Sequence, residues 1–345
     1  MASQMKQGPS LLTGAAGPAQ PIPEGTAPAG TRLWFLDHLR IVLICGVVVV
    51  HVAGIYGAGG WYQYHEPAQA DVLIRYALAI PSLIANLFGM GFFFLIAGYF
   101  TPGSYDRKGG ASFVRDRLVR LGIPLLVYNL LLDPFVVYIA RGLHGSPWSF
   151  YGSYLLQVRT IGPVVAWFIA TLLLFTLLYA AWRALTRKRS HSVQVPGTLP
   201  STRAILGFIV ALGLVSFVVR IWWPLSWDWL PPWWVQLFSL PVSLLPQYLS
   251  LFVLGCIAYR RNWFVELTPR MGRDWSLIAL IAMIVAVPFM VFGLAAGTLN
   301  DFLGGFHWQA LVMTMWEAFL VVGVCLGSLA LFRERWNRQG GWPKA

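Results

Sequence analysis

Residues 34–57 read WFLDHLRIVLICGVVVVHVAGIYG, an apolar run interrupted by Arg40 and His51. At about 1.5 Å per residue such a run crosses the roughly 30 Å of a bilayer's hydrocarbon. It is one of about eight, at approximately 34–57, 79–101, 119–140, 161–184, 203–223, 234–259, 275–297 and 307–332. The whole chain, 345 residues, is 57% hydrophobic and 11% charged, too little polar surface for a globule of its size to dissolve. Its 17 tryptophans and 13 tyrosines suit membrane interfaces, where one edge of the ring is wet and the other is not. The fold class that follows is an all-α integral membrane protein, a polytopic bundle of about eight transmembrane helices.

The formal net charge of +12 reports orientation. Twenty-one of the Lys and Arg residues fall on one side, in residues 6–40, 107–120, 183–203, 260–273 and 333–344; only Arg75, Arg141, Arg159 and Arg220 fall on the other. Cytoplasmic loops hold the basic excess, so both termini are expected in the cytoplasm, with the charge serving topology and anionic lipid, not nucleic acid. Cys45, Cys256 and Cys325 lie inside apolar runs with no zinc or redox spacing, and no metal site is expected. Residues 1–31, rich in Gly, Pro and Ala, are expected to be a disordered cytoplasmic tail; 32–338 form the transmembrane domain and 339–345 a second tail.

Ionisable groups inside a span are costly and are functional candidates by default. Eleven helical steps of about 100° return to within roughly 20° of the start, so Arg40 and His51 share one stripe, roughly 16 Å apart along the axis. Spacing alone leaves two readings open. In one the pair carries chemistry; in the other Arg40 snorkels to the surface and His51 hydrogen-bonds a neighbouring helix.

Leu36-Asp37-His38-Leu39-Arg40 followed by ten residues and His51 resembles the signature of acyltransferase family 3, membrane-embedded O-acyltransferases whose hallmark is Arg or Lys, ten residues, then His. Phe92 to Tyr99 looks like that family's second-span segment, with Ala97 where many members have Ser. Arg117-Leu118-Val119-Arg120, leading to Pro124, looks like its Arg-x-x-Arg motif, and Trp167-Phe168 resembles its Trp-Phe motif. The likeness covers roughly residues 33–338. Members commonly have two further spans, so the bundle is expected to lack the family's last two helices.

The resemblance implies a membrane O-acyltransferase of the bacterial cytoplasmic membrane. It would move an acyl group such as acetyl or succinyl from cytoplasmic acyl-CoA, a donor substrate and not a cofactor, to a hydroxyl of a cell-envelope carbohydrate or similar acceptor. His51 would be the general base, a role imidazole suits near neutral pH. Arg40, Arg117 and Arg120 would contact the donor, and Trp167 is carried over as a substrate-binding candidate. Arg117 and Arg120, three apart, share a helix face; otherwise they are charges marking a membrane boundary.

Asp133 and Glu317 are the clearest carboxylates within spans, each roughly 10 to 15 Å from the outer end, a depth similar to that of His51. One of them is expected to orient the imidazole as the third member of a triad does. The alternatives are a local role beside Pro134 for Asp133 and an interhelical hydrogen bond for Glu317. Trp222, Trp223, Trp227, Trp229, Trp233 and Trp234 crowd the loop near Asp228 and Arg220, as an interfacial belt or a sugar platform. His65 and Glu66 are read as solvated. Two other function classes remain open from residues alone: a transporter or flippase using the buried Arg, His and acidic groups as a path, and a noncatalytic membrane scaffold.

Overall fold

The computed structural model describes residues 33–58, 72–140, 142–157, 166–186, 197–225 and 242–337, and among them every regular element is helical. The two expected tails lie outside these residues, as do His65, Glu66, Arg141, Arg159, Trp227, Asp228, Trp229, Trp233 and Trp234. Helix α1 is Trp34–Ala53, continued by a π-helical turn Gly54–Ala58. Then come α2 Val72–Lys108, α3 Gly110–Ala140, α4 Pro147–Gln157, α5 Trp167–Leu185 and α6 Thr202–Trp222. The last four are α7 Leu245–Arg261, the short α8 Trp263–Glu266, α9 Pro269–Ala295 and α10 Trp308–Trp336.

Seven helices among the described residues are long and apolar enough to cross a bilayer, and they match seven of the expected runs. The eighth expected run, 275–297, coincides with α9, 27 residues long with Pro288 inside it. Side chains such as Val48, Val49, Leu126, Leu131, Val218 and Ile284 are exposed on the outer faces. A soluble protein does not leave that much apolar surface in water. The chain is a multi-pass membrane protein.

The alternation of direction is visible in the contacts between helix ends. At one end His38 Nδ1 lies 2.9 Å from the Trp336 carbonyl oxygen, joining the start of α1 to the end of α10. There too Asp106, Arg183 and Arg260 bring together the ends of α2, α5 and α7, and the Gly197 amide donates to the Arg261 carbonyl (3.2 Å) just before α6 begins. This is the basic end. At the opposite end the Leu225 amide donates to the Leu303 carbonyl (2.7 Å) and the Gly305 amide to the Arg220 carbonyl (2.9 Å), stitching the close of α6 to the α9–α10 connection.

Small residues set the interior spacing. A Cβ on Gly98 would overlap the Phe252 carbonyl oxygen, and one on Gly255 the Leu95 carbonyl oxygen, so α2 and α7 meet backbone to backbone. Gly323 and Gly327 of α10 likewise sit against Ala279 and Ser276 of α9, with less room to spare at Gly327 than at Gly323. Lipid tails are as apolar as leucine, so close dispersion contact of this kind is what holds membrane helices together.

One expectation about boundaries needs correcting. The stretch between the expected runs 79–101 and 119–140 reads as a loop, yet α2 runs on to Lys108 and α3 begins at Gly110, with only Gly109 between them at φ 75°. A left-handed glycine lets the chain reverse there without a loop. Hydropathy marks only the stretch that crosses hydrocarbon, whereas these helices extend past it on charged side chains that pair with one another. The third helix is also less regular than its hydropathy suggests, with π-helical turns at Leu118–Gly122 and Tyr128–Leu132.

Candidate functional site: a histidine and a basic face

The inward stripe of α1 contains Leu36, Leu39 and Arg40, then Leu43 and Val47, and ends at His51 and Gly54; the other faces are mostly exposed. That spacing by threes and fours is the buried stripe of an α-helix, and both Arg40 and His51 are half-buried on it. His51 Nδ1 lies 2.7 Å from the carbonyl oxygen of Val47, one turn back. A carbonyl only accepts, so Nδ1 carries the proton and the lone pair of a neutral ring is on Nε2. Arg40 lies toward the basic end, its guanidinium 4.1 Å from the centre of the Phe100 ring and 3.6 Å from Asp37.

Arg117 and Arg120 lie at the same end. The Arg117 guanidinium rests on Phe113 at 4.9 Å, and its Nε is buried with no hydrogen-bond partner among the described residues. A buried donor without an acceptor costs about 1 to 3 kcal/mol, which an anionic oxygen would recover. Arg120 Nε and Lys108 Nζ both lie 2.8 Å from Asp116, one on each carboxylate oxygen. Arg120 itself is largely exposed.

Trp167, the first residue of α5, stacks on Tyr248 of α7 (5.6 Å, 23°), while Phe168 leans on Phe93 and Phe94 at 5.6 and 4.8 Å. The Phe92–Tyr99 and Trp167–Phe168 segments therefore pack into one aromatic cluster, joined by Tyr248. Tyr248 is one aromatic among many in the sequence, and nothing in its spacing marks it.

The two carboxylates expected beside His51 are bonded elsewhere. Asp133, buried at the third helix, accepts from the hydroxyls of Tyr128 (3.4 Å) and Tyr154, tying α3 to α4. Glu317 meets Arg220 in a two-pronged ion pair, Nη1 to Oε1 at 3.1 Å and Nη2 to Oε2 at 2.6 Å. His51 Nδ1 lies at the Val47 carbonyl, while the Asp133 carboxylate is engaged by two phenols and that of Glu317 by Arg220. The physical reason is reach. A carboxylate at similar depth can sit on any side of the bundle, and a guanidinium or phenol that faces it inside the bundle takes it first. Among the described residues no group of three His, Cys, Asp or Glu side chains is arranged to hold a metal ion.

A multi-pass bundle with a half-buried histidine on the same stripe as an arginine, above an end rich in arginine, defines a polytopic membrane protein. The particular family follows from comparison: the family model of the acyltransferase domain of acyltransferase family 3 matches residues 33–343, and the chain belongs to that family. Nothing matches among curated proteins or among solved structures. The protein is a membrane acyltransferase, with the bilayer as its surroundings.

Proposed function

We propose that the protein transfers an acyl group from acyl-CoA, bound at the basic end, to a hydroxyl of a cell-envelope carbohydrate or similar acceptor, with His51 as general base. The observation that carries this reading is the bond from His51 Nδ1–H to the Val47 carbonyl, which leaves Nε2 as the basic nitrogen on the inward stripe. In the reaction Nε2 takes the proton of the acceptor hydroxyl as its oxygen attacks the thioester carbonyl carbon. The C–O bond forms and the carbonyl becomes an oxyanion; collapse then breaks the C–S bond, and the imidazolium returns its proton to the departing thiolate. Proton and electron pairs balance without any further reactant.

Arg40, Arg117 and Arg120 bind the phosphates of the donor. The roughly 16 Å between Arg40 and His51 along α1 suits a donor whose charged head and reactive carbon lie at opposite ends of a thin arm. Trp167, stacked on Tyr248, forms part of the wall around the acceptor. Given the basic excess at the donor end, that end faces the cytoplasm of a bacterial cytoplasmic membrane, with both termini on that side.

The test is thioester turnover by purified protein, with and without candidate sugar acceptors, beside His51→Ala and Arg40→Ala. The base is expected to contribute on the order of 10² to 10⁴ in rate. Turnover untouched by both substitutions would overturn the mechanism.

A further inference from the structure

At the basic end one carboxylate is shared by two guanidinium groups from different helices. Asp106, near the end of α2, has Arg183 Nη2 of α5 at 3.1 Å from Oδ1 and Arg260 Nη1 of α7 at 2.9 Å from Oδ2. Arg260 Nη2 also reaches Oδ1 (3.4 Å) and donates to the hydroxyl of Tyr179 (3.2 Å). The Arg183 guanidinium lies over the Tyr105 ring at 5.5 Å. At least two positive charges thus meet one negative charge. All three side chains remain within reach of solvent, 19 to 25% exposed.

This cluster is continuous with the proposed donor contacts. Tyr105, beneath Arg183, packs edge-on against Phe113 (5.4 Å), the ring on which Arg117 rests. Two residues beyond Asp106, Lys108 pairs with Asp116, which also holds Arg120. Neither Arg183 nor Arg260 belongs to a motif the family resemblance marks.

We propose that Arg183 and Arg260 form a seat for a phosphate monoester, in which the Asp106 carboxylate is the resident that the phosphate displaces. A phosphate monoester carries about −1.5 to −2 charge at neutral pH and offers three acceptor oxygens, so it matches two forked guanidinium groups better than one carboxylate does. Resting on the acyl-CoA reading above, the occupant is the 3′-phosphate of CoA, while Arg117, Arg120 and Arg40 take the diphosphate and the arm. Asp106 keeps the two cations together and partly neutralised until the donor arrives.

The experiment is equilibrium binding of CoA and of dephospho-CoA, which lacks only the 3′-phosphate, to the full chain in nanodiscs of neutral lipid. The wild type is expected to bind CoA about tenfold or more tightly than dephospho-CoA. Arg183→Gln and Arg260→Gln should each weaken CoA toward the dephospho-CoA value and leave dephospho-CoA unchanged, which also certifies that the variants are folded. Asp106→Asn separates a seat from a structural latch by sign: it should tighten CoA and not dephospho-CoA.

Equal binding of the two ligands by the wild type, or an Asp106→Asn variant that weakens both, overturns the seat. A second set of nanodiscs containing phosphatidic acid, a lipid phosphate monoester, reads the other source of the same chemistry. If the arginine variants lose phosphatidic acid while their CoA affinity is unchanged, the assignment to CoA is overturned. A wild type that binds neither CoA nor dephospho-CoA counts against the donor reading itself, and phosphatidic acid capture that depends on Arg183 and Arg260 then still supports the seat.

Discussion

Arg220 and Glu317, 97 residues apart in the chain, form a parallel two-pronged ion pair with side chains only 1% and 3% exposed. Arg220 also donates from Nε to the Ser243 carbonyl (3.3 Å), and its own carbonyl accepts from Gly305. One side chain thus fastens the end of α6 to α10 and to the turn that leads into α7. The next turn of α7 carries Tyr248, the ring on which Trp167 stacks.

Removing one partner of such a pair leaves a buried charge without compensation, at a cost of about 3 to 5 kcal/mol, whereas replacing both with apolar residues of similar volume is often neutral. Glu317→Gln should therefore lower the thermal unfolding midpoint of the purified protein, and Arg220→Met with Glu317→Met should recover most of the loss. If Glu317→Gln lost turnover with no change in stability, Glu317 would have a direct role in the chemistry.

Close helix contact gives a second prediction. Gly255→Ala adds a methyl group where the Leu95 carbonyl oxygen already stands, and the obstacle is backbone, which cannot rotate away. Overpacking of this sort costs about 1 to 3 kcal/mol, and here it should also part α2 from α7, the helices that carry Asp106 and Arg260. Gly46, where an added methyl group would meet nothing within 4 Å, provides the control: Gly46→Ala should leave the unfolding midpoint unchanged or raise it slightly. Equal midpoints for the two variants would contradict the close contact.

The residues that reveal the bundle are those whose environment depends on their own helix. Apolar runs and the stripe linking Arg40 with His51 are properties of one segment at a time, and both reappear in the structure. What stays hidden depends on which helices face each other. Periodicity puts Glu317 on a face of α10 but does not say that Arg220 lies opposite, and it cannot tell Tyr248 from the chain's other tyrosines. The same limit hides the partners of Asp133, the phenols of Tyr128 and Tyr154 on its own helix and on the short helix that follows. Asp106, which joins three helices, is hidden because hydropathy ends the second span before the helix itself ends.

Asp133 provides a direct contrast with His51. Its carboxylate ties α3 to α4 through two phenols, so Asp133→Asn should destabilise that corner by about 1 to 3 kcal/mol while the remaining folded protein keeps its turnover per molecule. His51→Ala should do the opposite, abolishing turnover at an unchanged unfolding midpoint. Measuring both quantities on both variants separates a structural acid from a catalytic one; a rate loss in folded Asp133→Asn as large as that of His51→Ala would restore the triad.

The tautomer of His51 can be read without any substrate. The Val47 carbonyl requires the proton on Nδ1, so protein labelled with 15N in its histidines should show, for one ring in the neutral state, Nδ1 at a protonated shift and Nε2 at an unprotonated one. His51→Gln identifies that signal by removing it. Binding of acyl-CoA alone should leave the assignment in place, because the donor brings no proton for the ring to take, whereas an acceptor hydroxyl should shift Nε2 by donating to it. A neutral His51 ring protonated on Nε2 would be unable to accept the hydroxyl proton at the nitrogen facing the reaction, and the base would have to be sought elsewhere.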